Sequence, residues 1–340
     1  MKTKTFVGVD YHKAFSYGTI MTQAGQILKQ GRFANHPRAV AGFLGEYAGE
    51  DCSAVLEATR NWCVMHDWLE DLTGQVTLAH PLKVRAIAEA KIKTDKIDAT
   101  TLAHLLRSDL VPAAHVASPQ ARILKRLLRH RMFLVRVQTM VKNRIHTLLD
   151  RYPLIRAERK ASELFTKMGI AWMRRVQVDK HDRFILDGEL TFLEHLQEQI
   201  RQSDRYLAKV GRRDRRVRLL ETIPGIGRAF ALLLVSEIDD IRRFRKPKAL
   251  HAYAGLVPST YSSGGRTFHG RITRQGNKYI RWAMVEAVWP AIQKDVALNE
   301  LYYRLSARKG ANCAKVATAK RLLTIVYRVL SENREYRDGQ

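Results

Sequence analysis

Apolar and polar residues alternate in short runs over the first hundred positions, and then settle into long stretches with helical spacing. TFVGVD at 5–10 is a β-rich run closing on an acid, and FSYGTIMTQAGQILKQGRFAN reads as a hairpin turning at QAGQ. PRAVAGFLGEYAG carries the spacing of a helix, and CSAVLE is a second strand ending on an acid. A helix through RNWCVMHDWLEDL, a strand QVTLAH, and helices in PLKVRAIAEA and DKIDATTLAHLLRSD complete the series. Alternation of this kind predicts a mixed sheet with helices against its faces.

From about residue 119 the period changes. PQARILKRLLRHRMFLVRVQTMVKNRIHTLL predicts one long helix, with Ile123, Leu127, Leu134, Val137, Val141, Ile145 and Leu148 along its apolar face. A second long helical pattern runs from about Phe184 to Leu220, with Leu186, Leu190, Leu193, Ile200 and Leu207 near heptad spacing. The two read as arms of an antiparallel hairpin or as a protein–protein coiled coil, and a plain two-helix packing element fits as well. LLETIPGIGRAFALLLVSEI then predicts helix, turn and helix through Pro224-Gly225-Ile226-Gly227. GLVPSTYSSGGRTFHGRITRQGNKYIRWAMVEA, rich in Ser, Gly, Arg and Lys, is expected to be a cationic loop with exposed hydroxyls before a helix resumes. The expected division is 1–112, an α/β domain; 113–215, a helical or coiled-coil region; and 216–340, a mostly helical domain.

Charge narrows the function. The 340-residue chain carries 59 Lys+Arg against 33 Asp+Glu, a formal net charge of +26. Such an excess repels itself in a compact fold and calls for a polyanionic partner, nucleic acid first and an anionic membrane surface second. No apolar run reaches the ~18–20 residues of a spanning helix. The apolar stretch in MKTKTFVGVDYHK is too short for a signal peptide. Cys52, Cys63 and Cys313 show no zinc-finger spacing and read as reduced thiols of a cytoplasmic protein.

Within this basic chain, four acids stand out. Asp10 and Glu57 each end a β-run, and Asp95 and Asp98 are three apart in KTDKIDATTLA, on one face of the predicted helix. One reading of the last pair is helix-start chemistry, with Thr94 as N-cap and acids complementing the helix dipole. The other is a carboxylate cluster that needs cations, since hard oxygen ligands in that number suit Mg²⁺ or Mn²⁺. Two such ions roughly 4 Å apart serve phosphodiester chemistry. Capping and metal binding can coexist at Asp95. Gly225 and Gly227, beside a helix N-terminus, fit the helix-hairpin-helix way of gripping a DNA backbone, or an ordinary glycine turn.

VGVDYHK, LEATRNW, KTDKIDATTLA, IPGIG and YAGLVPSTYSSGG…RITRQGNKYIRWAMVEA stand in an order and rough spacing that closely resemble the bacterial insertion-sequence-110 family of transposases. These are DEDD recombinases related to the Piv DNA invertases, and the resemblance covers nearly the whole chain. It implies an N-terminal RNase H-like (RuvC-like) domain whose carboxylate tetrad falls on Asp10, Glu57, Asp95 and Asp98. It also implies a helical middle and a C-terminal transposase domain with a catalytic serine in a Y-x-S-G element. That element falls on Tyr261-Ser262-Ser263-Gly264, so the matching residue is Ser263, with Ser262 its alternative by a slip of one. The partners implied are donor and target DNA and a structured guide RNA encoded by the element. The protein is expected to act as a homo-oligomer, dimer or tetramer, with no membrane role, in the bacterial cytoplasm near the nucleoid.

The chemistry of a serine nucleophile is independent of the resemblance. Attack by its hydroxyl conserves the phosphodiester bond in a phosphoserine, so rejoining needs no ATP. Arg266, His269, Arg271, Arg274 and Lys278 are candidates to hold the phosphate. From the residues alone, Ser262 and Ser263 fit a Ser-Gly hairpin turn better than a nucleophile, and it is the resemblance that reverses this. The acid-free helix over 119–149, with Arg126 and Arg129, offers a surface for nucleic-acid backbone. The enzyme alternative is an RNase H-like junction-resolving nuclease that uses water. A non-catalytic architectural DNA-binding protein would keep the charge but has no use for four carboxylates.

Overall fold

The computed structural model describes residues 4–88, 94–157, 160–263 and 266–337. They form two compact units that divide between Val116 and Ala117.

The first unit is built on a five-stranded sheet of β1 (Thr5–Tyr11), β2 (Phe15–Thr22), β3 (Ile27–Ala34), β4 (Gly49–Glu57) and β5 (Thr73–Ala79), in the order β3-β2-β1-β4-β5. β1 to β3 form an antiparallel meander turning at residues 12–14 and 23–26, and β4 and β5 join parallel to β1. Parallel pairing requires crossovers, supplied by α1 (Pro37–Leu44) and α2 (Trp62–Glu70). α1 starts where His36 accepts a hydrogen bond from the Ala39 amide and Pro37 fixes the first turn. α3 (Pro81–Ile87) and α4 (Asp95–Arg107) complete the unit.

Alternation along the strands sorts residues between two faces. Val7, Val9, Cys52, Ala54 and Leu56 pack with Val40, Phe43, Met65 and Leu69 of α1 and α2. Phe6, Val55 and Ala79 face the other way, toward Leu102, Ala103 and Leu105 of α4. By the same two-residue period, Asp10 and Glu57 lie on the α4 side.

The second unit begins with α5 (Pro119–Leu149), followed by α6 (Pro153–Ala157), α7 (Lys167–Met173) and α8 (Lys180–Val210). α5 and α8 form an antiparallel hairpin: Arg131 pairs with Asp204, Arg144 with Glu189 and Arg151 with Asp182, one number rising as the other falls. Leu134, Val141, Ile145 and Leu148 interlock with Leu186, Leu190, Leu193 and Leu196. The apolar face expected near the start of α5 is rotated by one position. Leu124 and Leu128 are buried, whereas Ile123 is exposed, because this end of the helix packs into a different core with α10. The second long pattern also differs from expectation. It breaks after Val210, and Asp214 caps a separate helix, α9 (Arg215–Glu221).

α10 (Arg228–Ile238), α11 (Pro247–Tyr253), α12 (Lys278–Ile292), α13 (Val296–Lys309) and α14 (Ala311–Ser331) enclose the largest core. Between α11 and α12, the stretch expected to be a loop is a two-stranded antiparallel hairpin of β6 (Pro258–Ser263) and β7 (Arg266–Ile272). Its Thr, Tyr and Phe residues favour extended backbone, and cross-strand pairing outweighs the serine and glycine content. No helix among the described residues is long and apolar enough to cross a membrane.

Candidate active site

Asp10, Glu57 and Asp98 line one cavity of about 190 Å³, together with Arg85 and Leu102. Asp10 and Glu57 arrive from the ends of neighbouring parallel strands, and Asp98 from the first turn of α4. Thr94 is the N-cap of α4, its hydroxyl accepting from the Ile97 amide at 3.2 Å, so helix-start chemistry and the acid cluster occupy the same turn.

Asp95 joins through a residue that sequence reasoning passed over. His12 Nε2 lies 3.1 Å from Asp10 Oδ2 and 3.2 Å from Asp95 Oδ1. These are ion-pair contacts without good hydrogen-bond direction. The signal was available as Asp-x-His, two positions apart at a strand end, which returns both side chains to one side. Burial pushes the Asp10 carboxyl above its ordinary range; His12 opposes this, while the charges of Asp98 and Asp95 add to it. A cation would relieve that repulsion, and the donors present are the oxygens a hard divalent ion takes.

Gly8 makes this arrangement possible. A Cβ there would sit 2.0 Å from the Ala99 carbonyl oxygen and 2.6 Å from the Ala103 amide nitrogen. Only a residue without a side chain lets α4 lie this close to β1 and bring Asp98 toward Asp10.

In the second unit, Ser262 and Ser263 are exposed at the end of β6, opposite Thr267 and Arg266. Tyr261 and Phe268 pair across the strands, both largely exposed. Gly264, and the side chains of Arg266 and His269, lie outside the described residues. Arg271 and Lys278 are exposed, and Arg274 adopts a left-handed backbone at φ 54°. Burial holds Arg281 below its ordinary range, and the charge of Arg274 adds to this. Arg136, Lys278, Arg281 and Trp282 line a groove of about 610 Å³ between α5 and α12.

Gly225 has φ 83°, and a Cβ there would meet the Ala287 carbonyl at 2.4 Å, so the turn and the packing of α12 both demand glycine. Gly227 caps α10 and faces open space. Arg126 is exposed. Arg129 is engaged within the unit: its guanidinium donates to both oxygens of Glu237, at 2.8 and 3.1 Å, and lies over the Tyr279 ring. Glu237, 1% exposed, also accepts from Asn277 Nδ2 at 2.8 Å. Asn277 in turn caps α12 through the Tyr279 and Ile280 amides.

Two family profiles match the chain: a DEDD transposase profile of the IS110 group over residues 7–153, and the Transposase IS116/IS110/IS902 family over residues 217–304. The chain belongs to the IS110 family of transposases. This transposase is 26% identical over 298 residues to a probable family 20 transposase of Pseudomonas aeruginosa, covering 85% of this chain and 86% of the other. It is 25% identical to the transposase for insertion sequence element IS1328 of Yersinia enterocolitica, over 98% of both chains. A pilin gene-inverting protein of Moraxella bovis is 28% identical, over 83% of this chain and 81% of its own. The transposase is thus a DNA-cleaving and rejoining enzyme. Its first matched stretch holds Asp10, Glu57, Asp95 and Asp98, and its second holds the glycine turn and the β6–β7 hairpin.

Proposed function

We propose that this transposase moves an insertion sequence by metal-dependent cleavage and rejoining of donor and target DNA, with Ser263 as nucleophile. The observation that carries the reading is the single cavity lined by Asp10, Glu57 and Asp98, with Asp95 tied to Asp10 through His12. The strand order β3-β2-β1-β4-β5, with one antiparallel meander and two added parallel strands, supports an RNase H-like domain.

Asp10, Glu57, Asp95 and Asp98 would hold Mg²⁺ or Mn²⁺. When bound, such an ion supplies Lewis-acid stabilisation of charge developing on a phosphodiester. His12 orients Asp10 and Asp95, and Gly8 sets the depth at which α4 presents Asp98. Ser263 Oγ gives up its proton and bonds to phosphorus as the bond to the leaving sugar oxygen breaks. That oxygen takes up a proton, and the reverse exchange rejoins the strand.

Nucleic acid is gripped through its backbone by Arg126, Arg271, Arg274, Lys278 and Arg266, with the groove beside Trp282 as a further contact. Gly227, with Gly225 shaping the turn, is read as a helix-hairpin-helix contact to DNA. An element-encoded guide RNA uses the same cationic surfaces, and a homo-oligomer, dimer or tetramer, holds two DNA ends at once. The regions 1–112, 113–215 and 216–340 serve catalysis, assembly and serine presentation, in the cytoplasm at the nucleoid.

The test is a denaturing gel after incubation with element-end DNA and Mg²⁺. A protease-sensitive covalent adduct is expected in the wild type and in Ser262→Ala, and none in Ser263→Ala. Normal cleavage by Ser263→Ala, with no adduct in any variant, would make water the nucleophile and sink this mechanism.

A further inference from the structure

A second cluster of metal-ligating side chains lies on α2, outside the carboxylate cavity. His66 is 3% exposed, packed edge-on against Trp62 with ring centroids 5.5 Å apart. Its Nδ1 is buried and has no hydrogen-bond partner among the described residues. That atom faces Asp67 Oδ1 at 3.5 Å and Glu70 Oε2 at 3.7 Å, and the three donor atoms all lie within 4.8 Å of one another. The carboxylates are at the surface, with side chains 49% and 66% exposed.

These distances are too long for good hydrogen bonds, whose heavy atoms lie about 2.7–3.2 Å apart. They are the separations expected of atoms sharing an ion. Two donors each about 2.1 Å from a tetrahedral centre stand roughly 3.4 Å apart. A buried imidazole nitrogen without a partner is costly, and an ion between it and the surface carboxylates would remove that cost. The spacing His-Asp-x-x-Glu puts the three side chains within one turn, since positions i and i+4 are neighbours on a helix.

We infer that His66, Asp67 and Glu70 form a binding site for a borderline divalent cation of the Zn²⁺ type, closing over one turn of α2. One nitrogen and two carboxylate oxygens, with solvent as the fourth ligand, suit zinc better than magnesium or calcium, which prefer all-oxygen sets. Met65 and Leu69 bury the adjoining face of α2 against β4 and β5, so the ion would bind on a helix already seated on the sheet.

The test is zinc binding by calorimetry to the full chain carrying Asp10→Asn and Asp95→Asn, which silences the His12 cluster. One equivalent is expected. The dissociation constant should rise at least tenfold on adding Glu70→Gln, an exposed change that leaves the fold intact by circular dichroism, and likewise with His66→Asn. Cobalt in place of zinc should give d–d absorption without a thiolate charge-transfer band. No zinc binding, unchanged binding in Glu70→Gln, or a thiolate band implicating Cys63 would each overturn the site.

Discussion

Replacing Arg129 with methionine strands a carboxylate. Glu237 is 1% exposed and would keep Asn277 Nδ2 at 2.8 Å and Lys125 Nζ at 3.9 Å. Breaking a buried pair by removing one partner costs about 3–5 kcal/mol, and the surviving contacts put this case near the lower end, about 3 kcal/mol. Glu237→Gln removes the charge but leaves an amide, and Arg129, 43% exposed, can turn to water. That change should cost about 1–2 kcal/mol. The double variant has no buried charge to compensate, so its cost should fall below the sum by about 1–3 kcal/mol. The chain has two units, so the readout should be local rather than a global melt. Hydrogen exchange across α10 and α12 serves, since every 1.4 kcal/mol is about tenfold in opening equilibrium. Arg129→Met should exchange about a hundredfold faster there. Exchange less than about threefold faster, or strict additivity in the double variant, would refute the idea that Glu237 is the hub joining α5 to the cap of α12.

Asp10→Asn, Glu57→Gln, Asp95→Asn and Asp98→Asn should each abolish strand cleavage and leave DNA binding largely intact; cleavage by Asp98→Asn in Mg²⁺ would reduce that acid to a capping role. His251 gives a pH prediction. Burial, with Lys320 adding, holds it down to about 4 from an ordinary 6.5. The unfolded chain therefore binds the extra proton between those values, and stability falls as pH drops from 6.5 toward 4. The loss is about 3 kcal/mol at about 1.4 kcal/mol per pH unit. His251→Gln should flatten that limb of a stability-versus-pH curve, and parallel curves for the two proteins would count against it.

Much of the first unit was legible because short-range physics decides it. Apolar runs closing on an acid placed Asp10 and Glu57 at strand ends, and Thr94 announced the start of α4. The rest depends on partners distant in sequence. Periodicity along α5 showed a helix but not that its neighbour changes from α10 to α8, which rotates the buried face from Ile123 to Leu124. Arg129 looked like a phosphate contact because its acid lies 108 positions on. Serine and glycine suggested a hairpin turn at Ser262–Ser263, but the flanking strands β6 and β7 were read as loop, although Thr260, Tyr261 and Phe268 carry strand preference. His12 follows Asp10 by two positions, but its link to Asp95 spans more than eighty residues and is fixed only by the packing of α4 on β1.

For genetics, Gly8 is a position without suppressors. Its backbone is ordinary strand, so any residue could adopt the conformation; what forbids a side chain is the carbonyl of Ala99 and the amide of Ala103. Every amino acid brings those same atoms, so no exchange of residue type at 99 or 103 makes room for a methyl group at 8. The only accommodation is to push α4 away from β1, and Asp95 and Asp98 travel with it. A selection for restored transposition after a Gly8 lesion should therefore return true revertants at the codon itself.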